Sequence, residues 1–80
     1  MVGAFVFITV AAGTAWGDAA TMHSSLHAVP GVKGVFFLSG AVDVLAQVEA
    51  ADQKALMESL GKIRAVKGVA TTDTRMIWPV

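Results

Sequence analysis

Apolar residues crowd the first ten positions of the chain and then separate into spaced stripes and alternating runs. From Gly3 to Val10 the run Gly-Ala-Phe-Val-Phe-Ile-Thr-Val is rich in β-branched and aromatic side chains and stops at Ala11-Ala12-Gly13. That pattern predicts a central strand buried on both faces, β1. The rhythm then changes: Ala15, Ala19, Met22, Leu26 and Val29 recur at spacings of three and four, an apolar stripe along a helix, α1. Pro30-Gly31 closes it, since Pro is poorly suited to continue a helix and Gly is free to take positive φ. Val32 to Leu38 is the next strand, β2, and Ser39-Gly40-Ala41 is a short connection. From Val42 to Glu49, Val42, Val44, Ala46 and Val48 alternate with Asp43, Leu45, Gln47 and Glu49, predicting β3 in an antiparallel hairpin with β2. Asp52 is placed to cap a second helix, α2, whose buried stripe is Leu56, Leu60 and Ile63, with Glu58 and Lys62 four apart in the favourable order. Lys67-Gly68 ends it, and Val69 to Trp78 makes β4.

The two halves echo each other. Ala28-Val29-Pro30-Gly31-Val32 returns as Ala65-Val66-Lys67-Gly68-Val69, 37 positions later, and the same shift carries Leu26 onto Ile63. Two strand-helix-strand units in series, each long enough for a right-handed crossover, predict one domain spanning residues 1–80. Its class is α+β, a ferredoxin-like βαββαβ fold with a four-stranded antiparallel sheet and both helices on one face. The helices cover only that face, yet the strands are apolar on both. The bare face therefore calls for another sheet, and pairing it with the same face of a second copy gives a dimeric α/β barrel.

Composition sharpens this expectation. With 55% hydrophobic and 15% charged residues, the chain carries more apolar surface than a monomer of 80 residues hides comfortably. Six basic and six acidic residues balance, with no Lys or Arg cluster to neutralise phosphates, so direct nucleic-acid binding is not expected. There is no cysteine, which excludes disulfides and thiolate metal sites. The uncharged start, Met1 to Gly17, is shorter than the ~20 apolar residues of a spanning helix and contains three glycines. No Lys or Arg precedes Lys33, so the start lacks the n-region of a secretory signal. A cytoplasmic protein without a membrane segment is the expectation.

Few residues suggest chemistry. His23 and His27 lie four apart on α1, the spacing at which two imidazoles share a metal, but no third ligand accompanies them and no metal site is assigned. Asp43, beside the Gly40-Ala41-Val42 turn, can either accept backbone N–H bonds from the turn or receive a ligand's ammonium group. Thr71, Thr72 and Thr74 fit a strand by β-branching alone, and their hydroxyls can also line a polar pocket. Met22, Met57 and Met76 read as gap-filling core residues, and Phe36, Phe37 and Trp78 as core and interface. No nucleophile is paired with a base, no glycine loop cradles a phosphate, and no cofactor or catalytic residue is assigned.

These residues carry a family resemblance. Val2-Gly3-Ala4-Phe5-Val6-Phe7-Ile8 resembles the opening strand of the ligand-binding domain of the Lrp/AsnC (feast/famine) transcription regulators, and Val29-Pro30-Gly31-Val32 its Pro-Gly-Val junction. Gly40-Ala41-Val42-Asp43 is similar to its Gly-X-Tyr-Asp hairpin motif, with Val42 where the aromatic residue is usual. Gly68-Val69-Ala70-Thr71-Thr72-Asp73-Thr74 matches the Gly-Val-X-X-Thr-X-Thr start of its last strand. The resemblance implies dimers that assemble into octamers or decamers, with a small-molecule effector such as an amino acid bound between neighbouring dimers. It also implies that Gly40, Ala41, Val42 and Asp43 form part of that pocket, joined by Thr72 and Thr74. Since the sequence opens on β1, the expected function is a stand-alone effector-binding and oligomerisation module. Such a module modulates transcription indirectly, either alone or co-assembled with full-length relatives that carry a helix-turn-helix. The alternative that shares the fold is a small dimeric α/β-barrel enzyme of the monooxygenase or isomerase type, for which His23 is the candidate catalytic group.

Overall fold

The computed structural model describes residues 1–11 and 16–77. Its elements follow in the order β1 (Val2–Val10), α1 (Trp16–His27), β2 (Val32–Phe37), β3 (Val44–Ala50), α2 (Gln53–Arg64) and β4 (Val69–Ile77). The strands form one antiparallel sheet in the order β2-β3-β1-β4, so β1 and β3 are central and the chain is a ferredoxin-like βαββαβ fold. Alternation along the strands separates the two faces. Ala4, Val6 and Ile8 of β1 and Val44, Ala46 and Val48 of β3 are fully buried, and they meet Met22 and Leu26 of α1 and Leu56, Leu60 and Ile63 of α2 in one core. Both helices therefore pack on the same face. Burying a side chain such as Ile8, Leu26, Leu56 or Ile63 contributes roughly 1.5–3 kcal/mol.

The echo of 37 residues is structural. Shifting α1, Trp16–His27, by that interval gives the bounds of α2, Gln53–Arg64. The turns that follow repeat as well: Val29 N–H donates to the Leu26 carbonyl and Val66 N–H to that of Ile63, both at 3.1 Å. Val32 N–H then reaches the Val29 carbonyl at 3.1 Å, and Val69 N–H the Val66 carbonyl at 3.2 Å. Gly31 and Gly68 sit at φ +94° and +98° at matching places, and each carbonyl anchors a central strand, accepting from Glu49 N–H at 2.8 Å and from Ala11 N–H at 2.7 Å. A Cβ on Gly31 would lie 2.6 Å from the Glu49 carbonyl oxygen, and one on Gly68 would collide with Cε of Met22.

Several boundaries differ from those the pattern predicts. Helix α1 ends at His27, because the Leu26–Val29 hydrogen bond already turns the chain before Pro30-Gly31, and the Val29–Val32 bond then closes a second turn around them. Strand β2 ends at Phe37 and β3 starts at Val44, two residues after Val42, because Asp43 turns its N–H to the Ile8 carbonyl at 3.1 Å. The predicted α1 start at Ala15 and the Trp78 end of β4 lie outside the described residues. Asp52 does cap α2, its Oδ1 accepting Ala55 N–H at 2.8 Å. Glu58 and Lys62 form no ion pair among the described residues. Of the methionines, Met22 is core, but Met57 is 53% exposed, one position off the Leu56-Leu60-Ile63 stripe, and Met76 lies partly exposed on the edge strand. Phe36 and Phe37 are likewise exposed to a large extent. No helix among the described residues is long and apolar enough to cross a membrane.

Two glycines give opposite expectations. Gly61 lies inside α2 with nothing within 4 Å of where a side-chain carbon would stand, so Gly61→Ala is expected to stabilise by about 0.5–1 kcal/mol in urea unfolding at fixed protein concentration. Gly31→Ala in the same measurement is expected to lose more than the ~1–2 kcal/mol of left-handed backbone strain, because its Cβ also meets a backbone oxygen.

Candidate functional site

The turn between β2 and β3 is tied to the end of β1. Leu38 N–H donates to the Asp43 carbonyl at 2.8 Å, closing the loop on itself, and Asp43 N–H reaches Ile8. The half-buried Asp43 side chain completes the tie: Oδ2 accepts the Val10 N–H at 2.9 Å. The carboxylate thus braces a strand end 33 residues away rather than its own turn, and Oδ1 has no hydrogen-bond partner among the described residues. Gly40, at φ +120°, and Ala41 are exposed at the tip, with nothing within 4 Å of where a Gly40 side chain would begin, while Val42 is half-buried. An exposed glycine tip with open backbone and a braced carboxylate beside it is a surface that a small polar ligand can approach closely.

Register places the two threonines. Thr72 pairs with Ile8 and Thr74 with Val6, and since Ile8 and Val6 face the helices, so do both threonines. Thr72 and Asp43 therefore flank the same residue of β1, one from each side. The Thr72 hydroxyl oxygen accepts from Arg64 Nε of α2 at 3.4 Å, and Thr74 lies two cross-strand pairs further from the turn. Thr71 is on the opposite face, where its hydroxyl meets that of Thr9. The structure brings Asp43 and Thr72 to one end of the sheet, with Gly40 and Ala41 projecting beyond it.

Other polar features do not stand out by residue type. Ser59, buried inside α2, donates to the Pro30 carbonyl at 2.6 Å, with the Ala55 carbonyl at 3.2 Å as a second acceptor. Ser59 occupies the place that Met22 holds in the first half, and the smaller side chain leaves a cleft of about 190 Å³ lined in part by Gly31, Glu49, Glu58 and Lys62. This cleft lies at the other end of the sheet from Asp43. On the uncovered face of β4, Arg75 and Asp73 form an ion pair at 3.0 Å. The Arg75 hydrogen bond, helped by its charge, holds the Asp73 carboxyl below its ordinary pKa. With the folded value depressed, that pair's small, solvent-screened contribution is present above the unfolded pKa and is lost as pH falls through the folded one. The i, i+2 spacing of opposite charges in a strand is the sequence signal for it. On α1, the His23 ring lies 5.9 Å from that of His27 and 5.8 Å from that of Phe37. Its neighbours are thus rings, and no group of three or more metal-ligating side chains gathers among the described residues.

With this geometry the comparisons with known proteins are consistent. The profile of the family described as Lrp/AsnC ligand binding domain matches residues 3–78, and the chain belongs to that family, whose domains bind small effectors and oligomerise. FFRP-DM1 is 29% identical with a TM-score of 0.83, covering 98% of this chain and 100% of that one. The hypothetical protein PHS023 from Pyrococcus horikoshii is 28% identical with a TM-score of 0.83, covering 100% and 93%. The transcriptional regulator NMB0573 from Neisseria meningitidis, solved as a complex with L-Met, shares the fold at 22% identity and a TM-score of 0.80, this chain spanning 50% of it. Among curated proteins, the homocitrate synthase of Sulfurisphaera tokodaii is 46% identical over 52 residues, which is 65% of this chain and 11% of that enzyme's length.

The Asp43 brace has a direct consequence. A hydrogen bond to a charged acceptor is worth about 1.5–3 kcal/mol, so Asp43→Ala is expected to speed amide exchange at Val10 by roughly one to two orders of magnitude. Asp43→Asn, which keeps an acceptor oxygen, should retain most of the protection, as read by NMR hydrogen exchange.

Proposed function

We propose that this chain is an effector-binding and oligomerisation module of Lrp/AsnC type, which senses an amino acid or small metabolite in the cytoplasm. It modulates transcription indirectly, through its own homo-oligomers or by co-assembly with full-length relatives that carry the DNA-binding half. The observation that carries this reading is the Asp43-braced turn within a family match covering residues 3–78. The assembly is a dimer in which two uncovered sheet faces meet, extended to an octamer or decamer. The uncovered faces of Phe5, Phe7, Leu45 and Phe36 favour it, because α1 and α2 both pack on the opposite face.

The effector site at the turn follows from what a zwitterion requires. A carboxylate needs several N–H donors and an ammonium needs a carboxylate, both shielded enough from water to retain their strength. The open Gly40 and Ala41 backbone supplies approachable N–H groups, and Asp43 Oδ1 offers the negative charge without releasing Val10 from Oδ2. The Thr72 and Thr74 hydroxyls border the same end of the sheet. With Val42 in place of an aromatic residue, the pocket suits an aliphatic or aromatic ligand side chain over a charged one. The L-Met bound to the Neisseria regulator is a ligand of that kind.

Asp43→Asn separates the charge from the brace. Calorimetry across the amino acids is expected to find a ligand with an uncharged side chain whose affinity falls roughly ten- to a hundredfold in this variant, from the loss of about 1.5–3 kcal/mol. A complete absence of binding, or equal affinity in the variant, would count against the site.

A second reading rests on the 52-residue likeness to homocitrate synthase: the same kind of module serving an enzyme. Mixing the chain with a full-length Lrp/AsnC regulator, and separately with a homocitrate synthase, discriminates the two. Under the first reading only the regulator changes its sedimentation, and under the second only the enzyme's effector response changes.

A further inference from the structure

The uncovered sheet face is an ordered grid. Cross-strand register sets Phe36, Leu45, Phe7 and Asp73 in one row, running from β2 to β4. The next row holds Gly34, Gln47, Phe5 and Arg75. Apolar groups thus occupy the middle of these two rows, and the two opposite charges within them share the edge strand β4, one in each row, while Glu49 lies one row further out, paired with Gly3. Arg75 and Asp73 are 68% and 59% exposed, and among the described residues their side chains pair only with each other.

This arrangement restricts how a second copy can lie on the face, given the sheet-to-sheet dimer proposed above, on which the restriction rests. The two-fold axis of such a dimer runs in the plane between the sheets, along the strands or across them in the limiting cases. An axis along the strands lays β4 over the partner's β2, setting Asp73 against Phe36 and Arg75 against Gly34. Each charge would then lose water without gaining a counter-charge, which is costly. An axis across the strands, passing between the two rows, exchanges them. Asp73 of one copy then faces Arg75 of the other, twice by symmetry, and Phe5 faces Phe7. Of these two orientations, the second pairs the charges of the two central rows and sets their aromatic rings together.

We propose that the occupant of the uncovered face is a second copy of this chain in that orientation, and that reciprocal Asp73–Arg75 pairing across the two-fold fixes its register and selects self from other sheets. Close interfacial charge pairs suppress wrong partners because like charges placed together are strongly unfavourable. A strand with one charge of each sign is its own complement. A strand with two like charges repels its copy and matches only the opposite strand.

Charge reversal tests this directly. D73K leaves β4 with two cations and R75E leaves it with two anions, and both positions are exposed in the single chain, so folding is preserved. Native mass spectrometry and sedimentation equilibrium should find the parent dimeric at micromolar concentration, and each single variant associating at least tenfold more weakly. An equimolar mixture of the two should form heterodimers at the parent's affinity, and the double variant D73K/R75E should recover the homodimer. Single variants that dimerise like the parent, or a mixture that stays dissociated, would overturn the register while leaving the sheet-face dimer in place. A monomeric parent would overturn both.

Discussion

A sheet whose strands are apolar on both sides, with helices enough for one, is the constraint from which the rest of this molecule follows. Alternation sends Ala4, Val6 and Ile8 and their β3 counterparts Val44, Ala46 and Val48 to the helices, where they are fully buried. The same alternation sends Phe5, Phe7 and Leu45 the other way. A one-residue slip of register would exchange the two sets, so the buried face and the uncovered face are fixed together. The chain therefore builds its core and its uncovered apolar face with one set of strands.

Two similar halves solve the local problem twice. Each helix ends in a turn whose glycine carbonyl, Gly31 or Gly68, reaches the adjoining central strand. The halves then diverge where function enters. Ser59 stands where the first half has Met22, opening a cleft, and the connection between the halves becomes the Gly40–Asp43 turn that Asp43 fastens to the end of β1. A loop projecting from a rigid sheet, with its carboxylate half committed to structure, is positioned without a mobile hinge.

Much of this is legible in the residues. The echo of 37 positions marks both helices and the equivalent turns, since local hydrogen bonding depends on residue type within a few positions. The Pro-Gly-Val, Gly-X-X-Asp and Thr-X-Thr motifs point to the ligand-binding family that the chain belongs to. What the residues do not supply is long-range geometry. Asp43 reads as part of β3 because apolar alternation begins at Val42, yet its hydrogen bonds go to Ile8 and Val10. Thr72 and Thr74 share a face with the helices because β4 pairs with β1 in one particular register, which alternation alone leaves open. Asp73 and Arg75 look like ordinary strand residues in the sequence, since only the assembled sheet shows them beside Phe7 and Phe5. Met57 reads as core by residue type, whereas helix phase turns it to solvent.

The central claim is that the uncovered sheet face, and not the helical surface, is where two copies of this chain pair into the dimer. Phe36 on the sheet face and Met57 on α2 are 52% and 53% exposed in the single chain, which makes them matched reporters. Hydroxyl-radical footprinting across a protein dilution series follows both side chains in one sample. Labelling of Phe36 should fall as concentration rises through the dissociation constant of the dimer, before any change at Met57. Labelling of Phe36 that is independent of concentration, or protection of Met57 ahead of Phe36, would contradict the account.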